Sequence, residues 1–275
     1  MNAQYVHGYN ATETQRLHDQ ASTLADLLHS DTAYSGGDTV LEAGCGVGAQ
    51  TVTLARTSPE ASITSVDVAG PSVAKATHAV ESAGLNNVTF HQADIFHLPF
   101  ARESFDHVFV CFVLEHLHNP VEALWALQRV LKAGGSITVI EGDHGSAYFH
   151  PDNALSRKAI WSLVDLQARG GGDALIGRTL YPLLCKAGLE DVRVSPRMVY
   201  ADATRPDLVD GFTQKTFAAM IEGVREEATA ADLMTEEEFD KGVAGLYRAA
   251  EPDGVFCYTF FKAVGIKGSD GEDGL

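Results

Sequence analysis

Positive charge is scarce in this sequence: 20 Lys and Arg stand against 37 Asp and Glu, giving a net charge of -17 and a pI near 4.9. Phosphate backbones are bound mainly through Lys and Arg with release of counterions, so this balance argues against a nucleic-acid partner. An anionic membrane surface is disfavoured on the same ground. Cysteine is sparse too: Cys45, Cys111, Cys185 and Cys257 are scattered and form no C-x-x-C pair. No apolar run is long enough to span a bilayer, and nothing at the N-terminus resembles a signal peptide. A reduced, cytoplasmic protein without membrane insertion is the expectation. No internal repeat is present. His116 and His118 are two residues apart and diverge on a helix, so no metal site is predicted.

What is present is a glycine run at the end of a strand. In Thr39–Gln50, TVLEAGCGVGAQ, the β-formers Thr39, Val40 and Leu41 lead to Glu42, and Gly44, Gly46 and Gly48 permit a tight turn and close approach of a ligand to bare backbone. A helix starts in the following TVTLA. The run Gly44 to Ala49 also satisfies the dinucleotide pattern G-x-G-x-x-G/A, with Asp67 near the ~20-residue spacing of a ribose-binding acid. Glu42 argues the other way. A carboxylate beside the turn repels a pyrophosphate, which prefers unopposed amides at a helix start, whereas it favours a ligand carrying ammonium and sulfonium charges.

With its E-x-G-x-G-x-G pattern the chain resembles the class I S-adenosylmethionine-dependent methyltransferases, in particular their small-molecule, ubiquinone/menaquinone-biosynthesis-like branch. The order of elements is compatible. Strands are predicted at ASITSVDV, NVTFHQADI, HVFVCFV, SITVIEGD, DVRVSPRMVY (bulged at Pro196) and VFCYTFFKAVGI. Helices are predicted between them, one from a capping box at Thr12–Gln15, one capped by Asn119 and stopped at Gly134-Gly135, and one across Asn153–Arg169. The reading is α/β: a doubly wound, seven-stranded, mostly parallel Rossmann-like sheet whose last strand, as the resemblance implies, runs antiparallel beside the fifth. Residues 1–35 form an N-terminal lid helix, and 36–275 a methyltransferase domain with helical insertions at about 143–172 and 204–252 forming a substrate cap.

The resemblance implies S-adenosyl-L-methionine as cofactor and assigns its site by position. Gly44, Cys45, Gly46 and Gly48 would pass along its methionine part, with Glu42 near the ammonium. Asp67 would accept both ribose hydroxyls, since a carboxylate offers two oxygens at the spacing of a vicinal diol. Val68 would pack on adenine, Asp94 and Ile95 would receive its amino edge and ring, and Cys111 and Phe112 would lie against the methionine segment. Arg16 could reach the amino-acid end, and Tyr5 and Tyr9 could close over the cofactor, excluding water.

Methyl transfer from a sulfonium is an in-line displacement needing alignment, desolvation and sometimes a base. His116 and His144, following the fourth and fifth strands, are the candidate bases. Tyr148, Phe149, Trp161 and Phe217, with Tyr5, suggest a pocket for a small apolar or aromatic molecule. Two other readings stay open: a nicotinamide-dependent oxidoreductase, resting on the glycine match, and a cofactor-binding regulatory subunit that has lost catalysis.

Overall fold

The computed structural model describes residues 11–268. Seven strands form one sheet in the order β3-β2-β1-β4-β5-β7-β6: β1 (Thr39–Ala43), β2 (Ser62–Asp67), β3 (Val88–Gln92), β4 (Phe105–Cys111), β5 (Leu131–His150), β6 (Glu190–Ala201) and β7 (Val255–Ile266). β1 to β5 pair in parallel, while β7 runs antiparallel to both β5 and β6. The helices are α1 (Ala11–His29), α2 (Ala49–Thr57), α3 (Gly70–Ser82), α4 (Pro120–Val130), α5 (Ala154–Arg169), α6 (Leu180–Lys186), α7 (Pro206–Leu208), α8 (Ala219–Glu222), α9 (Arg225–Ala230) and α10 (Glu236–Arg248). Between α7 and α8 the chain is π-helical, Val209–Ala218.

The period of two along the strands divides the core between the two faces of the sheet. On β4, Val108 and Val110 pack with Leu124, Leu127 and Leu180, while Phe109 and Cys111 pack with Leu24 and Leu28 of α1 and Leu54 of α2. Residues from α5, the π-helix and α10 join the α1 face, so the two expected helical insertions share one core with the first helix. The far end of α1 is tied to the antiparallel half of the sheet. Buried Lys262 donates to Asp31 Oδ1 (2.6 Å) and Thr32 Oγ1 (2.5 Å), and Arg197 pairs with the same Asp31.

Several boundaries differ from the sequence reading. α1 is already helical at Ala11, so Thr12 lies within it rather than ahead of it. β3 ends at Gln92, two residues before Asp94, which instead caps the 3-10 turn Ile95–His97 by accepting from Phe96 N–H (2.9 Å). Asn119 makes no side-chain cap, and α4 stops at Val130, where Leu131 already pairs with Phe105. Pro196 causes no bulge. β6 is an edge strand, so its missing N–H can face away from the ladder, and the register slips between Glu190 and Arg193 instead. A capping box does form at the start of α10, where Thr235 and Glu238 exchange both bonds.

Candidate functional site

The glycine turn is held from beneath by β2. Gly44 and Cys45 N–H both donate to Val66 O (2.8 and 2.9 Å), Gly46 N–H to Asp67 Oδ2 (2.8 Å), and Gly48 N–H to Cys45 O (2.9 Å). A Cβ at Gly46, where φ is 51°, would meet no protein atom within 4 Å, so this residue opens bare backbone to the cavity it lines. Gly48, with φ of 84°, serves packing instead: a Cβ there would lie 2.7 Å from Ala76 Cα, so the glycine sets how closely α2 approaches α3. The other Asp67 oxygen accepts from Ala69 N–H (2.9 Å), leaving lone pairs on both oxygens for a ligand.

Glu42 does not reach the cavity. It is buried below the turn, where Oε2 accepts from Thr51 Oγ1 (2.7 Å) and Ser65 Oγ (2.6 Å). Burial pushes its carboxyl up to about 7, and the negative charge of Asp67 acts in the same direction. Glu42 therefore braces the turn to α2 and β2 and titrates near neutral pH instead of standing as a fixed carboxylate.

The turn opens onto a cavity of about 660 Å³ at the carboxyl ends of the strands, a size suited to a cofactor with a small co-substrate. One end is built on β1 to β3: Gly44 to Val47, Asp67, Val68, Asp94 and Ile95. The other is built on β4, β5 and β7: Phe112, Glu115, His116, Gly142, His144, Tyr258 and Phe260, with Met220 from the helical cover. α1 supplies a wall through Glu13, Arg16, Leu17 and Gln20. There Arg16 is buried, gripping Glu13 through Nε and Nη2 (2.7 and 2.6 Å) and donating to Gln20 Oε1 (3.0 Å).

At the second end, the sequence Glu141-Gly142-Asp143-His144-Gly145 gives each residue a separate task. Glu141 Oε1 accepts from Val113 and Leu114 N–H (3.0 and 2.7 Å), fixing the turn that carries Glu115 and His116. Burial raises its carboxyl well above the usual range, with Glu115 adding to the effect. A Cβ at Gly142 would overlap the Tyr258 hydroxyl, and one at Gly145 would overlap Arg178. Asp143 is clasped by Arg178 through both carboxylate oxygens (2.9 and 2.6 Å). His144 Nδ1 meets Tyr258 OH at 2.6 Å, and burial lowers the imidazole pKa. Phe112 beside them holds φ of 58°, an uncommon value for a residue with a side chain, and its ring packs on Phe260 (5.5 Å).

The structure brings Arg16, Gly44, Cys45, Gly46, Asp67, Val68, Asp94, Ile95, Cys111, Phe112, His116 and His144 to one cavity. Glu42 and Gly48 stand behind its wall rather than in it. Tyr5 and Tyr9 lie outside the described residues. The expected substrate aromatics are not gathered there. Tyr148 and Trp161 are exposed, 70% and 46%, on the outer sides of β5 and α5, because the neighbouring Ile160 and Leu163 take the core face of α5. Phe149 stacks on Phe256 (6.4 Å), and Phe217 is buried behind His144 (6.1 Å between ring centroids). Tyr258, Phe260 and Gly142 were missed, whereas Met220, one of the apolar residues expected to line a substrate pocket, is in the cavity wall. The signal for Tyr258 was the alternating stripe Phe256-Tyr258-Phe260 on the buried face of β7: one hydroxyl among phenylalanines has to find a partner.

Burial pushes the Cys45 and Cys111 thiols up, so neither is a ready nucleophile. Among the described residues no group of three or more His, Cys, Asp or Glu is placed to hold a metal ion. No helix among them is long and apolar enough to cross a membrane.

Comparison with known proteins follows this geometry. Residues 41–139 match the family model described as a methyltransferase domain. An uncharacterized 37.1 kDa protein in a transposon of Streptomyces fradiae is 31% identical over 220 residues, covering 74% of this chain and 62% of that protein. A ubiquinone/menaquinone biosynthesis C-methyltransferase of Bdellovibrio bacteriovorus is 32% identical over 111 residues, 39% of this chain and 47% of the relative. The chain thus spans less than two thirds of the length of either relative. Among solved structures, a Bacillus halodurans protein described as a methyltransferase superposes with a TM-score of 0.58 at 19% identity, over 90% of this chain and 99% of that one. That likeness shows the fold, and the match to the domain model covers the glycine turn and the strand ends through β4, leaving Gly142, His144, Met220, Tyr258, Phe260 and the α1 wall outside it. Over residues 41–139 the chain carries a methyltransferase domain, and its likeness is to the class I S-adenosylmethionine-dependent methyltransferases.

Proposed function

We propose that the chain is an enzyme transferring the methyl group of S-adenosylmethionine to a small molecule held at the β4–β5–β7 end of the cavity. The observation that carries this reading is the state of the glycine turn. The N–H groups of Gly44, Cys45, Gly46 and Gly48 are all spent on protein acceptors, and Asp67 places a carboxylate 2.8 Å from Gly46 N. A dinucleotide needs free amides and no facing anion for its pyrophosphate. A cationic ligand needs the reverse, so the nicotinamide reading is disfavoured.

In this reading Gly44, Cys45 and Gly46 run along the methionine part and Arg16 and Gln20 meet its amino-acid end. Asp67 holds the ribose, Val68 and Ile95 sandwich adenine and Asp94 takes its amino group, while Cys111 and Phe112 lie beside the sulfonium. The bound cofactor supplies a methyl group already activated by positive sulfur. The protein supplies alignment, a dry chamber walled by Phe112, Phe260 and Met220, and polar groups at His116 and His144. Those walls favour an acceptor with an apolar body and one polar point. The first helix (1–35) and the insertions at about 143–172 and 204–252 act as its cover. Free cysteines fit a reducing cytoplasm.

Titration calorimetry with S-adenosylmethionine, S-adenosylhomocysteine and the nicotinamide dinucleotides tests the reading. Saturable binding of the first two alone is the expected result. Binding of a dinucleotide alone would overturn it.

A further inference from the structure

The proposed methyl-transfer site contains a buried His–Tyr pair whose proton arrangement the surrounding hydrogen bonds determine. His144 Nδ1 and Tyr258 OH are 2.6 Å apart, and both residues are buried at the cavity wall, 7% and 1% exposed. Only one of the two can donate in that contact. Gly142 leaves the space in which the phenol oxygen sits, and a Cβ there would overlap it. Aromatic rings of Phe212, Phe217 and Phe260 enclose the rest of Tyr258 at 5.6, 5.3 and 4.7 Å, so its proton has no outlet but His144. Burial raises the phenol and lowers the imidazole, which keeps both groups neutral.

We infer that Tyr258 is a positioning residue that donates to His144 Nδ1 and fixes the ring as the Nε2–H tautomer, so that His144 offers the substrate a hydrogen-bond donor and is not its base. A neutral imidazole whose Nδ1 is filled by a phenol proton carries its own proton on Nε2. The charged and titratable groups facing the ring are Asp143 on β5, Glu115 and His116 on the turn after β4, and Arg16 on α1. Asp143 is neutralised by Arg178 and does not compete for Nδ1.

This inference rests on the methyl-transfer reading for its chemical consequence. In the transfer the methyl–sulfur bond breaks with its electron pair returning to sulfur, and a lone pair or carbanion pair of the acceptor forms the new bond. An acceptor held by Nε2–H through an enolate or phenolate oxygen has lost its proton before transfer and requires none to be removed by His144. Where the acceptor still carries one, it passes to His116 or to water, not to His144. The substrate class indicated is therefore a molecule that presents a hydrogen-bond-accepting oxygen beside or at the methylated atom.

The test is nitrogen-15 NMR of protein labelled at histidine, with S-adenosylhomocysteine added, and the His144 signals identified by their loss in His144→Gln. The expected spectrum shows Nε2 protonated and Nδ1 bare and hydrogen-bonded. In Tyr258→Phe the Nδ1 signal should move toward that of a ring exchanging between tautomers, with His116 unmoved. A protonated Nδ1 in the wild type, or unchanged His144 signals in Tyr258→Phe, overturns the inference. Calorimetry on the same samples separates the two claims: lost S-adenosylhomocysteine affinity in the wild type sinks the methyl-transfer reading, while the tautomer stands or falls by the spectrum.

Discussion

The two ends of the cavity are assembled in opposite ways. At the β1–β3 end, the ligand-facing groups lie at a strand's last residue or within four residues of it, and the glycine turn is held by the next strand over, as when Gly46 N–H meets Asp67. At the β4–β5–β7 end the decisive bonds span the chain: His144 and Tyr258 are 114 residues apart, and Glu115 O receives Gln167, 52 residues on. A local turn can be recognised from spacing. A long-range pair depends on register and on which face of each strand is covered, so it becomes visible only once the sheet is assembled.

The sharpest way to break the first end is through its packing. Gly48→Val forces a branched side chain onto φ of 84° and into the Ala76 backbone. Strain and overpacking of this kind cost on the order of 3 kcal/mol or more, so urea unfolding should show a large loss of stability or no folded protein.

The next test uses two buried groups whose titrations oppose each other. His29 is lowered to about 4, chiefly by burial, against 6.5 unfolded. The stability it contributes is present above 6.5 and is lost as pH falls toward 4, because only the unfolded state takes the proton. Glu42 is raised to about 7 against 4.5. Its contribution is fully present below 4.5 and is lost as pH rises through 7. Each displacement is worth roughly 3 kcal/mol at about 1.4 kcal/mol per pH unit. Wild-type stability should therefore be nearly flat from pH 4.5 to 6.5 as far as these two groups are concerned. Glu42→Gln, which cannot titrate, should expose the His29 slope, with stability dropping by about 3 kcal/mol on going from pH 7 to pH 4. An equally flat profile in that variant would show that Glu42 is not the opposing group.

A smaller effect separates ligand-facing from bracing carboxyls. Asp67→Ala removes acceptors worth ~1.5–3 kcal/mol each, so S-adenosylmethionine affinity should fall at least tenfold by calorimetry. Unchanged affinity in a folded variant would remove Asp67 from the site. Glu42→Gln keeps an acceptor for Thr51 and Ser65 and should change that affinity less than about threefold, RT ln 3 being about 0.7 kcal/mol. The smallest expected change lies at the far end: His144→Gln should leave cofactor affinity within about twofold, since the ring faces the acceptor side.

These contrasts explain what the chain order disclosed. The glycine turn, the acids at Asp67 and Asp94 and the sheet class were legible because helix and strand periods and strand-end spacing are local. The role first given to Glu42 was not, since a strand residue one position either way faces the cavity or the core, and Ser65 and Thr51 captured this one from below. The substrate aromatics failed for a related reason. Trp161 and Phe217 are the right kind of residue, but helical composition does not say which stripe of a covering helix meets the ligand and which meets the core, and Tyr148 and Phe149 fall on the extension of β5 instead of in a covering helix. Tyr258 carried its clue in an otherwise phenylalanine stripe, yet its partner could be named only from the β5–β7 register.

The π-helix makes the enclosure of Tyr258 depend on how the covering segment is wound. Thr216 Oγ1 reaches back five residues to Gly211 O (2.7 Å), and Phe212 and Phe217, also five apart, lie on the same side, bracketing the Tyr258 ring. An α-helix advances about 100° per residue, so five residues would leave two such rings about 140° apart. The widened turn is thus a single-residue spacer. Rewinding the same residues as an α-helix would swing one ring off Tyr258 and open the enclosure of its hydroxyl, whereas deleting one residue between Phe212 and Phe217 would leave the two rings about 40° apart on an α-helix and keep both beside Tyr258.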